Sequence, residues 1–203
     1  MRLPKFLVDS WKSEDSVVAL ANGRFDLILP ISYSTGREKL VKATEVIAHR
    51  AAELSKRYPQ ARVVLSNCEY TFPGAEEVEW QFRRDLFAGY GITAHRAGNM
   101  NNSVEEAQAI SRCVAAYKFP AKCILIVTGE MHSRSARWIW ERVMPNSEIT
   151  VTCIGSEFEW QPDQPVFVQR GPWKWLFANI ARQILLKVFG LERIGKLHHR
   201  SEG

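Results

Sequence analysis

The chain is predicted to be an α/β protein: a Rossmann-like three-layer sandwich with a five-stranded parallel sheet in the order 3-2-1-4-5. Three observations carry this. Strand-like and helix-like segments alternate five times along the 203 residues. The strand-like segments are mostly apolar and rich in β-branched residues, as strands buried on both faces are. There is no internal repeat and no linker, so residues 1–203 form one domain with a core over about 25–155. Right-handed crossovers between successive units then place the order reversal between strands one and four.

The elements follow in order. Residues 25–31 are a short apolar run. Helical spacing over 38–57 puts Leu40, Ala43, Val46, Ile47, Ala51 and Leu54 on one face, with a capping box at Thr35-Gly36-Arg37-Glu38 and Pro59 beyond the end. Strand two is read over 62–66, a helix over 75–90, and a short third strand over 92–95. The next helix, 103–118, is opened by a capping box of Ser103-Val104-Glu105-Glu106. Strand four (122–127), a helix (133–143) and strand five (149–154) come next. After a loop bearing Pro and Gly, a last helix covers about 172–190. Segment 1–24 is read as an amphipathic turn with a short strand near 17–20, and 195–203 as a frayed tail.

Composition narrows the function classes. The chain is 46% hydrophobic and 24% charged, with a net charge of +5, which suits a globular domain rather than a disordered one. Basic residues concentrate at 134–142 and 174–200. A mild excess of this kind fits an anionic small molecule or an acidic membrane surface, and no nucleic-acid-binding motif is present. Cys68, Cys113, Cys123 and Cys153 have neither disulfide-framework nor zinc spacing, so the expectation is four reduced thiols in a cytoplasmic compartment and no metal site. Charge interrupts the N-terminal residues too early for a signal peptide, and no apolar stretch is long enough to span a bilayer.

In open parallel sheets, ligands bind beyond the carboxyl ends of the strands. Those ends carry Ser32, Tyr33, Ser34 and Arg37; Asn67, Cys68, Glu69 and Tyr70; Gly98, Asn99, Asn101, Asn102 and Ser103; Thr128, Gly129, Glu130, His132 and Arg134; and Gly155, Ser156, Glu157 and Glu159. The most informative stretch is Ile124 to Arg137: a buried strand, a Gly-bearing turn and a helix that opens with His132, Arg134 and Arg137. A helix start carries partial positive charge, so cations there work against the dipole. An anionic ligand held jointly by the N–H groups and the arginines resolves the conflict. Arginines that simply point into solvent resolve it equally well.

These residues resemble the YdcF-like family over about 25–155. Asn101-Asn102-Ser103-Val104-Glu105-Glu106-Ala107 looks like that family's Asn/Thr-x-Glu-Asn/Glu-Ala segment. Val127-Thr128-Gly129-Glu130-Met131-His132-Ser133-Arg134-Ser135-Ala136 looks like its Val-Thr-Ser-x-x-His-x-x-Arg-Ala segment, with Arg134 or Arg137 taking the family Arg depending on the register. Glu79 is similar to the family's Glu on helix two. The resemblance implies a Rossmann-like bacterial domain, a site at these loops, and a link to envelope biogenesis. Two departures stand out. Pro30 to Ser34 replaces a Gly-rich turn, and Ser66-Asn67-Cys68 replaces Ser-Gly-Gly, so side chains rather than bare backbone must bind a phosphate at both loops.

His132 is read as a general acid or base, against the alternative of a loop histidine bonded to a carbonyl. Glu79 is read as orienting a cation or activating water, against a solvated helix residue. Ser32, Ser34, Asn67, Asn101, Asn102, Ser103, Gly129, Arg134 and Arg137 are read as ligand-binding. Glu106 reads as a capping residue, and Cys68 as a loop thiol with no demonstrated base. The last helix is very apolar and covers a sheet face; Trp173, Lys174, Trp175, Arg182 and Lys187 also suit an interfacial membrane helix. The leading expectation is a cytoplasmic protein that binds or acts on a phosphorylated or nucleotide-like small molecule, its cofactor unnamed by the sequence. The alternative is a non-catalytic envelope-assembly protein, peripheral on the inner membrane and docked through its C-terminal helix.

Overall fold

The computed structural model describes residues 3–36, 38–68, 79–160 and 171–197. Arg37, Glu69, Tyr70, the start of the helix read from residue 75, residues 161–170 of the Pro- and Gly-bearing loop and the tail from 198 lie outside the described residues. The elements run α1 (Lys5–Trp11), α2 (Val17–Asn22), β1 (Leu27–Pro30), α3 (Lys42–Arg57), β2 (Arg62–Cys68), α4 (Glu79–Gly89), β3 (Ala94–Met100), α5 (Ser103–Tyr117), β4 (Cys123–Gly129), α6 (Ser133–Val143), β5 (Glu148–Ile154) and α7 (Pro172–Leu197). A short 3-10 turn, Ser156–Phe158, follows β5.

The sheet is five-stranded and all pairs are parallel, in the order β3-β2-β1-β4-β5. Helices α3 and α4 pack together on one face, and α5, α6 and α7 pack together on the other. Leu27 to Leu29 of β1 and Ile124 to Val127 of β4 are fully buried, as central strands covered on both faces must be. β3 carries one extra residue, Ala97, opposite the Leu65–Ser66 step of β2. Gly98 takes φ 122° at this bulge, a dihedral that favours glycine. Among the described residues no helix is long and apolar enough to cross a membrane.

Several local expectations are corrected. The helix after β1 begins at Lys42 rather than 38, and the proposed cap at Thr35 instead forms an antiparallel bridge with Leu40. The box opening α5 sits one residue earlier than read. Asn102 is the N-cap, its Oδ1 accepting from the N–H groups of Val104 and Glu105, while Glu105 accepts from the Asn101 N–H. The return bond differs from a capping box by one residue, because Glu105 reaches the N–H before the cap and not that of Asn102 itself. β2 and β3 run longer at their carboxyl ends than their apolar stretches suggested.

The N-terminal segment holds two helices, not a strand. The Asp15 N–H donates to Val151 O, Val151 N–H donates to the Asp15 carboxylate, and Cys153 N–H donates to Glu14. These bonds cover the open edge of β5, which would otherwise present unpaired backbone groups.

Candidate functional site

β1 and β4 diverge in connectivity at their carboxyl ends, the place where open α/β sheets bind ligands. The loop leaving β1 is held in a sparsely populated conformation: Ser34 has φ 95°. Thr44 of α3 pins it, accepting from the Tyr33 N–H (3.1 Å) and donating to Ser34 O (2.8 Å). Backbone strain kept by surrounding bonds clusters at functional positions.

Below this loop lies a buried ionic cluster. Glu79 is fully buried; its Oε1 accepts from Ser32 Oγ at 2.5 Å and from Arg83 at 3.4 Å, and its Oε2 accepts from the Cys68 N–H at 2.9 Å. Arg83, equally buried, also donates to the carbonyls of Pro30 and Ser66. Glu106 accepts from Ser66 Oγ (2.7 Å) and from the Ser32 N–H (3.1 Å). Burial pushes Glu106 up to about 7, against the pull of Ser66 and Arg83. Glu79 therefore acts on the site through Ser32 and is not a solvated helix residue. Glu106 is no cap: it ties α5 to the ends of β1 and β2. The i,i+4 spacing of Glu79 and Arg83 was the available sequence signal for this pair.

The second cluster surrounds His132, which is 3% exposed and covered by α7. Arg182 of α7 donates to its Nδ1 at 2.9 Å. A guanidinium only donates, so Nδ1 accepts and the ring proton sits on Nε2, which donates to Ser103 Oγ at 3.3 Å. Burial and the nearby Arg182 charge depress the imidazole to about 3. The reading of His132 as an acid or base is overturned on this ground. Its basic lone pair is taken and it stays neutral at physiological pH. It still lies beside the β1 loop, its ring centroid 5.8 Å from that of Tyr33.

The anion at the start of α6 is internal. Glu159 is fully buried and accepts from Met131 N–H (2.8 Å), His132 N–H (3.2 Å), Tyr33 OH (2.7 Å) and Trp175 Nε1 (3.1 Å). Burial raises it to about 7 despite these donors. A Cβ on Gly129 would lie 2.1 Å from Glu159 Cδ. Gly129 thus makes room for this carboxylate, not for a ligand.

The two arginines read as ligand-binding are also redirected. Arg134 donates to Trp11 O (2.7 Å) and Ser10 O (2.9 Å), the orphan carbonyls ending α1, and stacks on the Trp11 ring. Arg137 bonds Ser13, the Ile149 carbonyl and the Asp15 carboxylate. Both clamp the N-terminal segment. Asn67 accepts from the Trp80 N–H at the start of α4 and donates to Asn99, while Asn101 and Asn102 belong to the cap of α5. Their expected ligand contacts give way to structural bonds. All four cysteines are free thiols, and among the described residues no cluster could hold a metal.

The structure therefore brings together Ser32, Ser34 and Glu79, and separately Ser103 and His132, and it adds Tyr33, Arg83, Glu106, Glu159, Trp175 and Arg182. Arg182 is the distinctive newcomer. Half-buried at the switch point, it bonds His132 and Asn179 and lies over the Trp175 ring. Among the described residues no Asp or Glu lies at ion-pair distance from it, and the buried Glu159 and Tyr33 act on its charge only from farther off. Burial works against its charge and lowers its pKa. Compared with family models, curated proteins and solved structures, the chain matches none.

Proposed function

We propose that this protein binds an anionic, phosphate-bearing or nucleotide-like small molecule in the crevice between the ends of β1 and β4, with Arg182 as its anchor. One observation carries the reading: a half-buried guanidinium at the switch point that burial disfavours and that has no carboxylate at ion-pair distance among the described residues. A partly desolvated cation is costly until an anion meets it. His132 holds the guanidinium in place, Ser103 bonds His132, and Tyr33 of the strained loop after β1 sets its ring edge-on to His132. The motifs resembling the YdcF-like family fall on these same loops, which supports the placement. Whether chemistry follows binding is a matter for Ser32, whose hydroxyl donates to a buried carboxylate.

Calorimetry with inorganic phosphate, pyrophosphate, adenine nucleotides and adenosyl cofactors tests the reading. Arg182→Gln should weaken any ligand that binds wild type by about 10- to 100-fold, the value of a lost charge-assisted hydrogen bond. Arg134→Glu should leave that affinity unchanged, because Arg134 caps α1. Equal affinity in wild type and Arg182→Gln for every ligand that binds would remove the crevice from consideration.

A further inference from the structure

We infer that the outward face of α7 seats this protein on an anionic lipid surface. The inward face of the helix is spent on packing: Trp175, Leu176, Asn179, Gln183 and Leu186 are buried. The opposite face is not polar. Phe177, Ile184, Leu185, Val188 and Phe189 are 63, 56, 46, 67 and 45% exposed. They recur at i, i+7, i+8, i+11 and i+12, which is one continuous stripe on a helix. Single exposed apolar residues are ordinary, but an aligned set of five large ones marks a surface that is covered in use.

Charge selects what covers it. Residues 172–191 contain Lys174, Arg182 and Lys187 and no acidic residue at all. Lys174 and Lys187 are both exposed. An apolar stripe with basic flanks complements a layer of acyl chains beneath anionic headgroups. A second copy fits less well. A symmetric pair along this stripe would bring two acid-free, basic flanks together with nothing to neutralise them. The helix is not apolar enough to cross a bilayer, so it lies along the surface. This inference is independent of the ligand assigned to the crevice, since it uses the other side of the helix.

The test is co-sedimentation of the full chain with vesicles of phosphatidylcholine alone and of phosphatidylcholine mixed with phosphatidylglycerol, read beside size-exclusion light scattering without lipid. Wild type should sediment with the mixed vesicles and not with the neutral ones. The triple variant Phe177→Ser/Ile184→Ser/Val188→Ser should lose about tenfold or more in partitioning, with circular dichroism verifying its fold. Lys174→Gln/Lys187→Gln should lose about fivefold per lysine at low salt, a difference that disappears at high salt. Wild type remaining in the supernatant with mixed vesicles overturns the inference, whatever the variants do. So does equal binding to both vesicle types, or undiminished binding by a folded triple variant. A dimer that the triple variant dissolves, with no vesicle binding, would assign the face to a second copy instead.

Discussion

Gly129 and Glu159 are locked together across the end of the sheet: the absent side chain of one is the space filled by the carboxylate of the other. A Cβ at 129 would meet Glu159 Cδ, Cγ and Oε1 at 2.1 to 2.3 Å. Glu159 has no easy retreat, because four donors hold it and it is fully buried. Gly129→Ala should therefore destabilise the protein by about 1–3 kcal/mol through overpacking and lost hydrogen bonds, although an ordinary Gly→Ala change in a compatible strand would stabilise it. Urea denaturation of both proteins measures this; an unchanged midpoint would mean the carboxylate is not held there.

Stability should respond to pH through the buried groups, with opposing signs. Glu106 and Glu159 are raised from 4.5 to about 7 by burial, so between those values the folded state binds more protons than the unfolded one. Their contribution is full below about pH 4.5 and is lost as pH rises to about 7, on the order of 2–3 kcal/mol each. His132 runs the other way. Lowered from 6.5 to about 3 by burial and Arg182, it leaves the unfolded state binding more protons in that window. Its contribution is full above pH 6.5 and is lost as pH falls toward 3. Two carboxyls outweigh one imidazole between pH 5 and 7, so these groups together make stability fall across that range. Glu159→Gln should flatten the decline, and urea midpoints measured across the range decide it; parallel profiles for variant and wild type would refute the assignment.

The N-terminal clamp should be visible in exchange of β5. Arg137 binds the Asp15 carboxylate, which itself accepts from the Val151 N–H. Asp15→Ala should speed deuterium exchange at Val151 and Cys153 by about tenfold or more while leaving β1 protected, because local opening of an edge needs no global unfolding. Arg137→Ala should do the same with a loss of about 1–3 kcal/mol. Exchange at β5 unchanged in both variants would show that the segment does not guard that edge.

Asn102→Ala should cost about 1 kcal/mol, because Asn102 Oδ1 satisfies two otherwise orphan N–H groups of α5. Ser103→Ala should cost less stability, since Ser103 is not the cap, but it should free the His132 Nε2 proton. A thermal melt of the two variants separates cap from site. A larger loss for Ser103→Ala would restore the cap to that residue.

The sheet order and the elements from β4 to β5 were legible because their signals are local. Ile124 to Val127 and Ile149 to Ile154 are dominated by β-branched residues, and Ser133 to Val143 has a clear helical face. Asn102 and Ser103 are both good cap formers with a Glu three residues on, and what separates them is remote in sequence: Glu106 is taken by Ser32 and Ser66, which leaves Glu105 beside Asn102. The site was less legible because its partners lie far apart in sequence. The sequence reads an anionic ligand at the start of α6, and the carboxyl group that meets the N–H groups there is Glu159, 28 residues beyond Met131. Arg134 and Arg137 looked free because the Trp11 carbonyl and the Asp15 carboxylate that hold them are more than 120 residues earlier. Arg182 reads in sequence only as one more basic residue on the last helix; His132, 50 residues away, gives it a place.

The cover on β5 has a consequence for synthesis. Asp15 and the strand it guards are separated by 136 residues. At about 5–20 residues per second, roughly 7–27 s pass between translation of the guard and translation of the strand it must reach. The guard can settle only after the strand it covers has been made, and it does so by closing a loop of 136 residues. The edge of β5 can therefore be covered as soon as that strand is made, because its guard already waits on the nascent chain.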